Sequence, residues 1–119
     1  MCSSTRRAGT NEQRVLRGAL YRVRRPGGDP ERVLVVVSRQ VLLDSRYSTA
    51  VCAPVFSTGD GLATQVAAGQ AEGLKQQSWV MCDNLVSVPK SALTDYVGAL
   101  GPGKLDELAA ALRAALELT

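Results

Sequence analysis

Hydrophobic residues along this chain fall into short runs separated by polar and glycine-rich stretches. Residues 15–23 alternate, with Leu16, Gly18, Leu20 and Arg22 on one side and Arg17, Ala19, Tyr21 and Val23 on the other, which predicts a strand. A Pro/Gly-rich loop with both signs of charge follows at 24–31, RRPGGDPE. The next run, RVLVVVS at 32–38, is continuously apolar and branched, as expected of a central strand buried on both faces. Residues 40–45 fit a short helix or a loop, and TAVCAPVF at 49–56 reads as a third strand closed by a turn, STGDGL, at 57–62. Two short strands are predicted at 64–68 and 78–82, with 84–88 continuing the sheet beyond a kink at Asp83. Residues 89–96 read as one or two helical turns. At the end, Leu105, Leu108, Ala109, Leu112 and Leu116 repeat at the three-four spacing of one helical face, with Pro102 suited to the first helical position. Short strands followed by one terminal helix predict a small, mainly antiparallel barrel or curled sheet with that helix packed on it.

A chain of 119 residues has room for a single hydrophobic core. The expected organisation is a polar tail at 1–13 and one domain over 14–119. Hydrophobic residues make up 45% of the chain, which excludes a disordered polymer. The sequence has no histidine, and this removes Ser-His-Asp and Cys-His nucleophile systems, histidine-ligated zinc and ribonucleases built on a histidine pair. Charge is uneven: residues 1–46 carry +6 and the remainder −3, so a basic stripe able to attract phosphate lies in the first third. Cys2, Cys52 and Cys82 are widely spaced and form no CxxC pair, as expected of inert reduced thiols that hold no metal. No apolar run approaches the ~20 residues of a membrane span, and the polar start lacks the apolar stretch of a secretory signal, so a cytoplasmic protein is expected. Alternation in SWVMC sets Trp79 and Met81 on one face, which predicts a core or dimer-interface role for the sole tryptophan.

The runs RGALYRV at 17–23, RVLVVVS at 32–38, APVFS at 53–57, GL at 73–74, SWVMCDNLVSV at 78–88 and LTDYVGAL at 93–100, closed by the amphipathic helix, form an ordered series. That series resembles the MazF/PemK/Kid family of type II toxin–antitoxin toxins over residues 16–119. The resemblance implies a mainly β fold with α, an SH3-like antiparallel β-barrel of the CcdB/MazF type with a C-terminal helix. It also implies a homodimer that cleaves single-stranded RNA, often mRNA, at short sequences and thereby arrests growth, without metal or other cofactor. The ribose 2′-OH attacks the adjacent phosphate, leaving a 2′,3′-cyclic phosphate and a 5′-OH. The implied protein partner is a MazE-like antitoxin that lays an extended segment along the RNA groove.

Residue by residue, Arg32 falls at the arginine of the family's RPvlVvs strand, a principal catalytic residue there, while the proline that follows in the family is Val33 here. A guanidinium offers a permanent charge and a bidentate grip on phosphate. The family's P-[VIL]-T-S turn aligns its threonine with Phe56 and its serine with Ser57. The catalytic hydroxyl is then carried by Ser57 or Thr58, or is lost, with Phe56 a core residue or a base-stacking platform. Asp83 matches an acidic position that some members use as a base, and Met81 stands where Kid-like members place an arginine. Arg24, Arg25, Gly27 and Gly28 belong to the loop that borders RNA in the family, and Arg17 joins them as an RNA-binding candidate. Two rivals remain: a catalytically weakened RNA-binding member of the same fold, and a CcdB-like gyrase poison.

Overall fold

The computed structural model describes residues 14–24 and 32–118; the expected tail at 1–13 and the loop residues Arg25, Gly27 and Gly28 lie outside the described residues. The strands are β1 (Ala19–Val23), β2 (Arg32–Val36), β3 (Thr49–Phe56), β4 (Gln65–Ala68), β5 (Ser78–Met81), β6 (Val86–Pro89) and β7 (Asp95–Ala99). The helices are α1 (Gln40–Leu43) and α2 (Pro102–Leu116), with 3-10 turns at Gln70–Glu72, Cys82–Asn84 and Lys90–Ala92. One antiparallel sheet runs in the order β4-β5-β3-β2-β1-β7, and β6 pairs with β3.

The continuous apolar run of β2 behaves as its composition requires. Val35 and Val37 enter one core with Leu20, Ala53, Val55, Val80 and the helix residues Leu108 and Ala111. Leu34 and Val36 enter a second cluster on the opposite face with Tyr21, Leu43, Cys52 and Leu93, so the single core expected from the chain's length is divided in two by the sheet. Strand β3 is the hub, because its edge away from β2 serves two partners in succession. Residues Thr49 to Cys52 pair with β6, while Val55 and Phe56 pair with β5. Pro54, which has no N–H to donate, sits in the gap between those two partners. The 3-10 turn at Cys82–Asn84 carries the chain from β5 to β6, at the kink expected of Asp83.

The sheet curls until the turn after β4 meets β7. Glu72 is buried and its carboxylate accepts the Gly69 N–H at 2.7 Å, shaping the turn. Gly73 follows with φ +93°, and an added Cβ there would collide with the Val97 carbonyl oxygen, while one on Gly98 would collide with that of Glu72. Two glycines in backbone contact thus close a half-barrel that larger residues would hold open. Helix α2 begins with Pro102 at its first position and packs on β4 and the Cys82–Asn84 turn. Its inward face centres on Leu108 and Ala111, flanked by Leu105, Leu112 and Ala115.

Four sequence expectations are corrected. The first strand begins at Ala19, because residues 16–19 form a turn in which the Ala19 N–H donates to the Leu16 carbonyl. Residues 89–96 form only the Lys90–Ala92 turn, and Asp95–Ala99 is an edge strand paired with β1. On α2, Leu116 is exposed and Ala111 takes its place in the buried face. Of the two roles expected for Trp79, core and dimer interface, the core one is ruled out: Ser78, Val80 and Cys82 point inward instead, and the indole covers Gly59. Cys52 and Cys82 are buried reduced thiols. Burial pushes the Cys52 thiol up to about 12, and burial together with the Asp83 charge pushes Cys82 up to about 11. No described helix is long and apolar enough to cross a membrane.

Candidate functional site

Arg32 opens β2, and extending the Leu34–Pro54 and Val35–Ala53 pairings by two residues sets it opposite Phe56 at the end of β3. The Arg32 guanidinium carbon lies 4.3 Å from the centroid of the Phe56 ring. Such a stack contributes about 0.5–1 kcal/mol at an exposed site through the ring quadrupole. The ring carries no lone-pair acceptor, so the contact does not commit the N–H donors to a carboxylate or carbonyl oxygen. Among the described residues, no carboxylate or carbonyl accepts a hydrogen bond from Arg32.

Beside this stack is a cavity of about 260 Å³ lined by Arg22, Arg32, Ser57, Gly73, Lys75 and Ser78, among others. Three cationic side chains therefore face one hollow, and no carboxylate is part of its wall. Arg22 is partly committed, since it pairs with Asp95 at 3.7 Å where both groups are well exposed and screened by solvent. The Ser78 hydroxyl donates to the Gln76 carbonyl at 3.1 Å, which leaves Ser57 as the hydroxyl suited to meet a ligand. An anion in this hollow gains from two or three fixed positive charges and from a hydroxyl donor.

The loop after β3 is held from outside. The Gln65 side-chain carbonyl accepts the backbone N–H groups of Asp60, Gly61 and Leu62 at 2.9, 3.0 and 3.4 Å. Gly59 lies against the indole of Trp79, where an added Cβ would collide with the ring. These contacts fix the way the chain leaves Phe56, so Ser57 faces the cavity while Thr58 does not line it.

The other candidates lie elsewhere. The Asp83 carboxylate accepts the Thr64 hydroxyl at 2.7 Å and does not line the cavity. By the β3–β5 register it sits near the level of Cys52, on the order of 13 Å along the strands from Arg32 at ~3.3 Å per residue. Arg17 is at the far end of β2, where its Nε donates to the Val37 carbonyl at 3.2 Å. Arg24 is exposed just after β1. Arg22 and Lys75 were not singled out in the sequence, although alternation with buried Leu20 and the position just after Gly73-Leu74 were signals for them. Two larger hollows lack comparable chemistry. One, of about 380 Å³, is mainly apolar along Val37, Leu42, Val51 and Leu112, and the other, of about 470 Å³, borders Lys90. The Lys90 ammonium is already spent on the carbonyls of Leu42, Leu43 and Ser45.

Comparison with known proteins places the chain and its fold in a family. The sequence pattern of the family described as "PemK-like, MazF-like toxin of type II toxin-antitoxin system" matches residues 16–116. The Endoribonuclease MazF3 of Mycobacterium tuberculosis is 33% identical over 90 residues, covering 76% of this chain and 86% of that protein. Among solved structures, the Mycobacterium tuberculosis toxin MazF-mt6 superposes with a TM-score of 0.75 at 29% identity, over 85% of this chain and 98% of that one. A mycobacterial endoribonuclease in complex with its cognate antitoxin gives a TM-score of 0.74 at 26% identity, over 90% and 97% of the two chains. With the order of strands, the closing helix and nearly the whole domain in agreement, the chain belongs to the PemK/MazF family of toxins of type II toxin–antitoxin systems.

Proposed function

We propose that this toxin is an endoribonuclease that cleaves single-stranded RNA at the cavity formed by Arg32, Ser57, Arg22 and Lys75. The observation that carries this reading is the convergence of three cations and one hydroxyl on a single hollow. A phosphodiester seated there has its negative charge met before reaction, and the charge added when the ribose 2′-OH attacks phosphorus falls within reach of the same donors. The Arg32 fork binds two phosphate oxygens, and the Ser57 hydroxyl donates to a third. As the O2′–P bond forms, the 2′-OH gives its proton to water; the P–O5′ bond then breaks and the departing O5′ takes a proton from water, leaving a 2′,3′-cyclic phosphate on one fragment and a 5′-OH on the other. In this reading the cationic side chains of Arg32, Arg22 and Lys75 supply the charge that stabilises the phosphorane. Asp83, already occupied by Thr64, is kept as a support for β4 and β5 rather than as the base.

The same reading includes a homodimer acting in the cytoplasm and neutralised by a MazE-like antitoxin. Ser57 on the cavity wall favours an active enzyme over an inactive relative, because the hydroxyl missing at Phe56 is supplied one residue later. Incubating the purified protein with a long single-stranded RNA in EDTA is the direct test. Discrete fragments are expected, with 5′-OH ends that accept label from a polynucleotide kinase without prior phosphatase treatment. Ser57→Ala should slow cleavage roughly 100-fold, the scale of losing one transition-state donor. Binding without cleavage would establish the inactive RNA-binding member instead, and intact RNA with DNA gyrase trapped on DNA would establish the CcdB-like poison.

A further inference from the structure

The 4.3 Å stack between Arg32 and Phe56 has no counterpart elsewhere among the described residues. An arginine side chain has many rotamers, and one at the first residue of a strand lacks the crowding that restrains a buried one. Carboxylate or carbonyl partners usually provide that restraint, but they occupy the N–H donors and cancel much of the charge. An aromatic face restrains the guanidinium plane without using either. Phe56 is well placed for this, being half-buried and paired in register with Trp79, whose indole is braced against Gly59.

We propose that Phe56 is a positioning residue whose ring holds the Arg32 guanidinium at the wall of the cavity, with its donors not taken by a carboxylate or carbonyl among the described residues. The inference rests on the proposed cleavage reaction, and it assigns Phe56 neither to base stacking nor to simple core filling. A ring that acts through Arg32 serves the transition state, where orientation of the fork counts most, so its loss lowers kcat and leaves KM nearly unchanged.

The test compares Phe56→Leu, which keeps apolar bulk without the quadrupole, with Phe56→Tyr, which keeps the ring. Phe56→Leu is expected to lower kcat about tenfold with KM within about twofold, and Phe56→Tyr to stay within about twofold of wild type in both. Nitrogen-15 NMR gives a second readout independent of activity. The Arg32 Nε–H resonance, assigned by its disappearance in Arg32→Lys, should carry a ring-current shift in the wild-type protein that Phe56→Leu abolishes. Wild-type kcat in Phe56→Leu, a loss confined to KM, or an unchanged resonance would each overturn the proposal. If the wild-type protein cleaves no RNA, the nuclease reading fails separately, and the resonance still decides whether the ring fixes Arg32.

Discussion

The two ends of the β1–β2–β3 core both carry cations, and they use them in opposite ways. At the end near α1, Arg14 makes a two-pronged contact with Asp44 at 3.0 and 2.9 Å, Arg17 donates to the Val37 carbonyl, and Lys90 donates to three carbonyls at the close of α1. At the other end Arg32 rests on a ring, and Arg22 and Lys75 face the same hollow. The hydrogen bond from Arg14 holds the Asp44 carboxyl below its ordinary value, a sign of charges consumed by the fold. Positive charge alone therefore does not separate the two ends. The first end spends its cations on carboxylate and carbonyl acceptors, whereas of Arg22, Arg32 and Lys75 at the second only Arg22 has such a partner among the described residues, Asp95.

The largest effect that separates the ends comes from removing one arginine at each. Arg32→Ala should reduce cleavage about 1,000-fold or more while circular dichroism still shows a folded protein, because that charge is needed chiefly in the transition state. Arg17→Ala should leave kcat and KM near wild type and cost about 1 kcal/mol of stability, as expected for one lost hydrogen bond. Cleavage at the wild-type rate in Arg32→Ala would sink the site assignment, and a large rise in KM for Arg17→Ala would return that arginine to the RNA surface. A smaller contrast comes from the lysines. Lys75→Ala should weaken RNA binding several-fold and reduce the slope of log affinity against log salt by about 0.7, one phosphate contact on a single strand. Lys90→Ala should lower the melting temperature and leave that slope unchanged, so a salt effect there would erase the distinction.

The smallest effect concerns the interior between the ends. With Cys52 pushed up to about 12 and Cys82 up to about 11, both thiols stay protonated in the folded state. In a Cys2→Ser variant, reaction with a thiol reagent at about pH 8 should be as slow as unfolding. The unfolded thiols lose protons near their ordinary value of 9.0, whereas the folded ones keep them, so this contribution to stability is complete below that pH and declines above it. Denaturant midpoints that hold steady from about pH 8 to 10.5 would argue against such burial.

The parts of the fold legible in the sequence were those whose burial imposes a pattern. Leu34 to Val37 on and beyond β2 and Cys52 to Val55 in β3 are buried, most of them divided between the two core clusters, so successive positions are selected for burial. β7 was hidden because its residues are exposed or half-buried; pairing with β1 fixes its backbone while leaving little signal in its side chains. The same distinction governs the site. Arg32 was recognisable through an ordered resemblance, whereas Lys75 reaches the cavity only because the sheet curls, a long-range event that local spacing does not encode. Asp83 matched by position, but its carboxylate is claimed by Thr64, a partner nineteen residues earlier. The choice between Ser57 and Thr58 turned on the loop anchored by Gln65 and Trp79, which no local rule specifies.

The glycine contact that seals the half-barrel also sets a schedule for synthesis. Gly98 meets the Glu72 carbonyl immediately before the segment Gly73–Gln76 that lines the cavity, so that segment is backed by a strand made almost last. A ribosome adding roughly 5–20 residues per second releases β7 and then α2 only when most of the message has been read. Nascent chains and products truncated before Asp95 lack the strand that locks Gly73 and Lys75 in place. A fragment that stops before Asp95 is therefore expected to show no cleavage, and translation of truncated messages in vitro checks it.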